Sequence, residues 1–406
     1  MNVLLKRIMI ILIAIFITSG CMPQLIKPDR DRDRDKTKNE KNTVIAPVTH
    51  KTNVKPIVHQ VTIGAIGDIL IHNEVYEDAK QTDGTYNFDK MFSEVKQTMQ
   101  KPDILVANQE TMIGGEEFGL SSYPSFNSPH EVGDALKNAG VDLVTLANNH
   151  SLDRGEKVIN SALAYWDKIN MPYTGVFKSQ ADHDKIRTIT KNDITLSFLA
   201  YTFGTNGIPV PKGKDYLVNL IDVEKLRQDV NNAKGMSDVV VVSMHWGNEY
   251  ERFPNETQKK LAQDLSDMGV NIIIGHHPHV LQPPSWLFGK NGNKTFVLYS
   301  LGNFLSAQDE LYQLIGGLAS IDIIKTKTKN KTTIDLKNPS FTLTYNYYLD
   351  NRQFKIIPME HLASEFLMNS NEKFEETKKH MQAYLNDLEI MPSVKISEHN
   401  SSSFSN

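Results

Sequence analysis

The sequence predicts an α/β protein whose strands are covered on both faces. Three observations carry this. Short apolar runs recur from Val61 onward, helix-length amphipathic stretches separate several of them, and five of the runs end in residues able to bind a metal.

The runs are Val61–Ile66, Ile104–Ala107, Leu143–Leu146, Leu196–Ala200, Val239–Val242, Ile272–Ile274 and Phe296–Leu298. Periodicity alone does not separate a buried strand from a piece of buried helix. Length and β-branching favour strands: Val239–Val242 is four valines, and residues 271–274 read NIII. Between them, Glu131–Ala139, Glu156–Lys168, Val223–Asn232 and Glu256–Met268 repeat apolar residues every three or four positions, as a helix lying on a sheet requires. Strand alternating with helix gives a sheet buried on both sides.

Composition excludes several classes. Hydrophobic residues are 40% and charged residues 23% of 406, a globular balance. The net charge of −4 offers no basic field for nucleic acid. One cysteine excludes an intramolecular disulfide and a thiolate zinc cage. A metal would need His, Asp, Glu or Asn, and there are 13 histidines.

Residues 1–20 read as a signal peptide. Lys6 and Arg7 precede the unbroken apolar run Ile8–Ile17. Ten residues span only ~15 Å as a helix, short of a ~30 Å hydrocarbon core. The following TSGC resembles a bacterial lipobox, which makes Cys21 the lipid-attachment residue. Residues 21–60 read as a charged, solvated linker, because twelve of the fifteen residues from Lys27 to Lys41 are charged. Residues 61–362 form the expected domain. Residues 363–406 follow as a C-terminal polar amphipathic helix over 364–391 and a Ser/Asn-rich, disordered tail after Pro392.

What ends each strand points to function. Asp68, Glu110, Asn149-His150, His245 and the His276-His277-Pro278-His279 string all follow apolar runs, and α/β sheets bind ligands at the carboxyl ends of their strands. Asp68, Glu110, Asn149, His245, His277 and His279 supply the mixed donors of a site for two divalent ions with a bridging carboxylate. That mixture suits Mn, Fe or Zn rather than Ca or Mg. His277 and His279, two apart on extended backbone, would point the same way. His150 would stand over the metals as a proton donor, its tautomer held by Asp153. Arg154 and Arg252, just past two motifs, are candidates for meeting an anionic substrate. Trp246 reads as packing, and Gly114–Tyr123 as a mobile surface loop.

The strings GDILIH, ANQE, LANNHSLDRG, MHWGNEY, GHHPHVLQP and YSLGNF, in that order, resemble the poly-gamma-glutamate capsule synthesis (CapA-like) family. FNSP (Phe126–Pro129) and YTFGTNG (Tyr201–Gly207) also look like its segments. The resemblance implies a calcineurin-like metallophosphoesterase: a four-layer α/β/β/α sandwich with a dinuclear centre. Asp68 then matches the first-strand ligand, Glu110 the bridging carboxylate, Asn149-His150 the ligand and acid, and His245, His277 and His279 the remaining ligands. His72 is a further candidate ligand, because the superfamily's Asp-x-His opening is here Asp68-Ile69-Leu70-Ile71-His72.

The expected function is a lipid-anchored, extracytoplasmic metal-dependent hydrolase in poly-gamma-glutamate synthesis or export. Its partners would be the polymer or another anionic envelope substrate, the cell membrane and a membrane-bound synthase complex, without nucleic acid. The alternative is a non-enzymatic accessory or polymer-binding subunit.

Overall fold

The computed structural model describes residues 55–392. The expected signal peptide, Cys21, nearly all of the linker and the tail beyond Pro392 lie outside the described residues. No described helix is long and apolar enough to cross a membrane.

Two mixed sheets organise the domain. In chain order, the strands of the first half are β1 (Ile57–Ile69), β2 (Ile104–Gln109), β3 (Leu143–Thr145), β4 (Tyr173–Thr174), β5 (Arg187–Lys191), β6 (Ile194–Thr202), β7 (Val239–His245) and β8 (Ile272–His276). The second half adds β9 (Leu281–Gln282), β10 (Ser285–Phe288), β11 (Lys294–Leu298), β12 (Ser300–Leu301), β13 (Asn303–Leu305), β14 (Ile315–Lys327), β15 (Thr332–Leu349), β16 (Arg352–Pro358) and β17 (Glu389–Ile390). One sheet runs β16-β15-β14-β1-β2-β3-β4, with β13 on β1 and β17 on β15. The other runs β10-β11-β8-β7-β6-β5. The strands bearing the expected site residues are parallel: β1, β2 and β3 in one sheet, β7 and β8 in the other.

The sheets pack face to face, and alternate side chains show it. Ile63, Val106, Leu143, Val241, Ile274 and Leu298 share one cluster between the sheets. Their neighbours turn outward: Leu105 and Val144 pack under the helices Glu131–Ala139 and Gly155–Lys168, while Val240, Val242 and Ile273 pack under Val223–Lys234 and Glu256–Met268. The last of these helices starts at a capping box in which Asn255 and Gln258 each bond the other's backbone N–H.

All seven expected runs are strands. The antiparallel run β14–β16 escaped the sequence reading. It alternates apolar and polar residues rather than forming a solid apolar block, since only part of each face is covered. The continuous helix expected over 364–391 is also corrected. The helix is Ser370–Met381, and the chain then turns so that Leu385 and Leu388 enter the cluster between the sheets and Ile390 pairs with Phe341. A single straight helix would have carried those leucines past the core.

The segment Tyr299–Asn303 passes from β11 in one sheet to β13 in the other. Two glycines admit it. A Cβ on Gly275 would lie 2.0 Å from the Tyr299 carbonyl oxygen, and one on Gly67 would lie 2.2 Å from that of Gly302.

Candidate metal centre

The parallel strands deliver their polar ends to one place. Asp68 lies at the end of β1, Glu110 follows β2, His245 is the last residue of β7, and His277 and His279 follow β8. Each of these five is at most 5% exposed. Asp68, Glu110 and His279 form one group whose donor atoms lie within 4.8 Å of one another, and Glu110, His245 and His277 form a second. Glu110 belongs to both.

His277 and His279 do not sit on extended backbone as expected. Their φ angles are 96° and 59°, a left-handed turn that non-glycine residues seldom adopt and that concentrates at functional sites. The turn sets the two ring centroids 5.9 Å apart; His279 joins the first group and His277 the second.

The surrounding bonds fix the set. Asp68 Oδ1 accepts from Asn108 Nδ2 at 2.8 Å and lies 2.9 Å from His276 Nδ1. Asp68 Oδ2 accepts from the His277 N–H at 3.3 Å and lies 3.2 Å from His279 Nδ1. His245 Nε2 is 2.8 Å from Asn149 Oδ1, which brings Asn149 to the edge of the second group. Glu110 is different: both carboxylate oxygens are buried without a hydrogen bond, as are Nδ1 of His245 and Nδ1 of His277. Buried polar atoms are ordinarily satisfied, and an uncompensated buried carboxylate is costly. Divalent cations would satisfy the Glu110 oxygens and take one nitrogen from each imidazole, so the residues present fit the two-ion centre.

Protonation follows from burial and charge. Burial pushes the Glu110 carboxyl well above its ordinary value. Burial also opposes charging Asp68, but hydrogen bonds from His276 and His279 hold it well below the usual carboxylate range. Burial disfavours charge on His279, yet Glu110 and Asp68 outweigh it and lift the imidazole to about 9. Burial and the nearby His279 lower His277 to about 3.

His150 stands at the side of this centre. Its Nδ1 is 2.7 Å from Asp153 Oδ2, which also accepts the Phe126 N–H at 2.8 Å, and Phe126 packs edge-on against the His150 ring at 4.7 Å. Asn206 links Asn149 to His150: its Oδ1 accepts from Asn149 Nδ2 at 3.2 Å, and its amide lies 3.2 Å from His150 Nδ1.

Other candidates fall elsewhere. His72 is in neither group. Its Nδ1 accepts the Ala307 N–H at 3.2 Å, and burial pulls its pKa down to about 4. Arg154 reaches the Ser121 hydroxyl and the carbonyls of Phe118 and Gly119, bracing the 115–122 loop. Arg252 lies over the Tyr312 ring at 3.6 Å and pairs with Glu376. Trp246 is buried, its indole N–H donating to the Tyr299 carbonyl at 3.0 Å. Sequence reasoning passed over His276 and Glu249. His276 was visible as the first of three histidines. Glu249 lies with His277 and His279 in a third group, on an exposed loop where a single acid gives no signal.

A chain named Capsule biosynthesis protein CapA from Bacillus anthracis is 30% identical over 279 residues, covering 66% of this chain and 64% of that one. PGA biosynthesis protein CapA of Bacillus subtilis is 30% identical over 247 residues, covering 60% and 62%. The matches thus span less than two thirds of the length of these relatives. A crystal structure from Staphylococcus aureus, described as that of a 5′-nucleotidase, aligns with a TM-score of 0.42 at 15% identity, covering 79% of this chain and 58% of that one. The family described as Bacterial capsule synthesis protein PGA_cap matches residues 62–308, and this chain, with its shared-carboxylate centre inside that span, belongs to it.

Proposed function

We propose that this protein is a lipid-anchored, extracytoplasmic hydrolase of the metallophosphoesterase type, built as a four-layer α/β/β/α sandwich and working in poly-gamma-glutamate capsule synthesis or export. One observation carries the reading: Glu110 is shared between two donor groups and its oxygens have no other partner. The relatives' names, capsule biosynthesis and PGA biosynthesis, supply the process. Cys21 anchors the chain to the membrane, beside a synthase complex and its anionic polymer or another anionic envelope component.

Asp68, Glu110 and His279 would hold one ion, and Glu110, His245, His277 and Asn149 the other. Bound Mn, Fe or Zn would supply Lewis-acid polarisation and charge neutralisation. The protein does the rest. Asp153 engages His150 at Nδ1, so Nε2 is the atom that passes a proton to the leaving group. Phe126 packs against the ring and limits its rotation. Asn108 and His276 orient Asp68.

The test is metal analysis of the detergent-extracted full chain, followed by turnover of phosphoesters and gamma-glutamyl peptides with added Mn or Zn. Two bound equivalents with metal-dependent turnover support the hydrolase. Bound metal with no turnover of either class replaces it with the accessory subunit.

A further inference from the structure

Resting on the hydrolase reading, the inference concerns which substrate the centre accepts. Three aromatic side chains with large exposed surfaces surround it. Phe203 is 51% exposed, yet its ring lies 4.7 Å from that of His277 and parallel to that of His245 at 6.4 Å. Tyr250 is 48% exposed, with its ring 6.3 Å from that of His279. Tyr123, 76% exposed, packs on Phe126, which itself touches His150. Tyr123 is near enough to Tyr250 to add, as a lesser cause after burial and Glu249, to the raised pKa of the Tyr250 phenol. Water-facing aromatic rings of this size are unfavourable unless something covers them.

Between the rings the groups are polar, and the nearby charge is acidic. Asn206 sits beside His150, Glu249 beside His277 and His279, and Gln308 Nε2 donates to the Tyr250 hydroxyl at 3.3 Å. The two arginines closest in sequence to the motifs are turned onto Ser121 and Glu376. Among the described residues no arginine pairs with Glu249, so a polyanionic chain would meet its charge unbalanced. Flat apolar faces flanked by amide, carboxylate and phenol groups suit a ring that carries hydroxyls, with an apolar face for stacking and an edge for hydrogen bonding.

We infer that the centre takes a phosphate ester of a sugar, with the sugar ring stacked on Phe203 and its hydroxyls facing Asn206, Glu249 and Gln308. Hydrolysis balances simply. The oxygen of water forms the new bond to phosphorus, and the bond from phosphorus to the sugar oxygen breaks. That oxygen leaves with the proton from His150 Nε2, the proton released by the attacking water restores His150, and the products are the free sugar and inorganic phosphate.

The experiment compares glucose 1-phosphate, glycerol 3-phosphate and adenosine 5′-monophosphate on the metal-loaded full chain and its Phe203 variants. The wild type should prefer glucose 1-phosphate over glycerol 3-phosphate by at least tenfold in kcat/KM. Phe203→Ala should bring that ratio to within about threefold of unity, through KM, while Phe203→Trp should preserve it. Metal content measured on each variant separates a lost platform from a loosened His277. Equal rates on the two esters, a ratio that survives Phe203→Ala with metal intact, or a preference for the nucleotide overturns the sugar assignment. Calorimetric titration keeps the two readings apart. Selective binding of glucose 1-phosphate without turnover removes the hydrolase and leaves the platform. Turnover without selectivity removes the platform and leaves the hydrolase.

Discussion

Glu110 Oε1 lies 3.6 Å from His245 Nε2 and 3.6 Å from His279 Nε2, midway between imidazoles carried by different strand ends. A carboxylate so placed serves both donor groups at once. The glutamate's extra methylene relative to aspartate does not remove it from either.

Glu110→Gln keeps the shape and removes the charge. Metal content, measured by mass spectrometry after gel filtration, should fall from two equivalents to one or none. Retention of two equivalents would show that the shared carboxylate is not the bridge.

His276 bonds Asp68 and belongs to none of the three donor groups. Its removal should therefore weaken metal rather than abolish it. For His276→Ala, competition against a chelator should give a metal affinity ~10–100-fold lower, the usual effect of losing a group that orients a ligand. His277→Ala should lose far more.

His150→Ala should leave metal content intact and lower phosphoester turnover by ~10²–10⁴, the contribution of a positioned general acid. Asp153→Asn should act in the same direction and less severely. Loss of metal from His150→Ala equal to that from His277→Ala would make His150 a ligand.

Glu376 joins the helix Ser370–Met381 to the domain. It accepts from the Tyr312 hydroxyl at 2.5 Å and pairs with Lys373 and Arg252. Those hydrogen bonds, from Tyr312 first and then Lys373, hold its pKa at about 2, below the ordinary 4.5. A depressed folded-state pKa stabilises at neutral pH, and that stabilisation fades as pH falls from about 4.5 through about 2. Because the carboxylate is largely solvent-screened, Glu376→Gln should cost at most about 1 kcal/mol at pH 7. Chemical denaturation should show the wild type and variant converging near pH 2. A gap that persists there would place the effect in packing rather than charge.

Lipid labelling tests Cys21. A fatty-acid analogue should mark the wild type and leave Cys21→Ser unmarked, with the variant released from the membrane fraction. Equal labelling of both would remove the anchor.

Much of this was legible in the sequence, because strands buried on both faces are solid apolar blocks. Val239–Val242 and Ile272–Ile274 admit few other readings, and the polar residues after them stand out by contrast. The helix Glu256–Met268 was legible to the residue because both of its ends are signalled, by the Asn255/Gln258 capping box and by Gly269 in the left-handed conformation. What stayed hidden depended on tertiary placement. The left-handed turn at His277 and His279, the amide of Asn206 between Asn149 and His150, and the redirection of Arg154 and Arg252 all rest on partners distant along the chain. Arg252 meets Glu376, 124 positions away, and no local pattern announces that.

The passage of Tyr299–Asn303 between the sheets bears on how this site could vary over time. The Asp68 N–H donates to the Gly302 carbonyl at 2.8 Å, and Gly275, next to His276, lies against the Tyr299 carbonyl. Both halves of the donor set are thus gauged from one short stretch of peptide groups, not from side chains. Substitutions among the ligands can change which ion is preferred, or whether any is held. The interval between the two halves is set by the main chain, through the Gly302 carbonyl that accepts the Asp68 N–H and the Tyr299 carbonyl against Gly275. Divergence in this lineage should therefore show in the rim and the ligand identities long before it shows in the spacing.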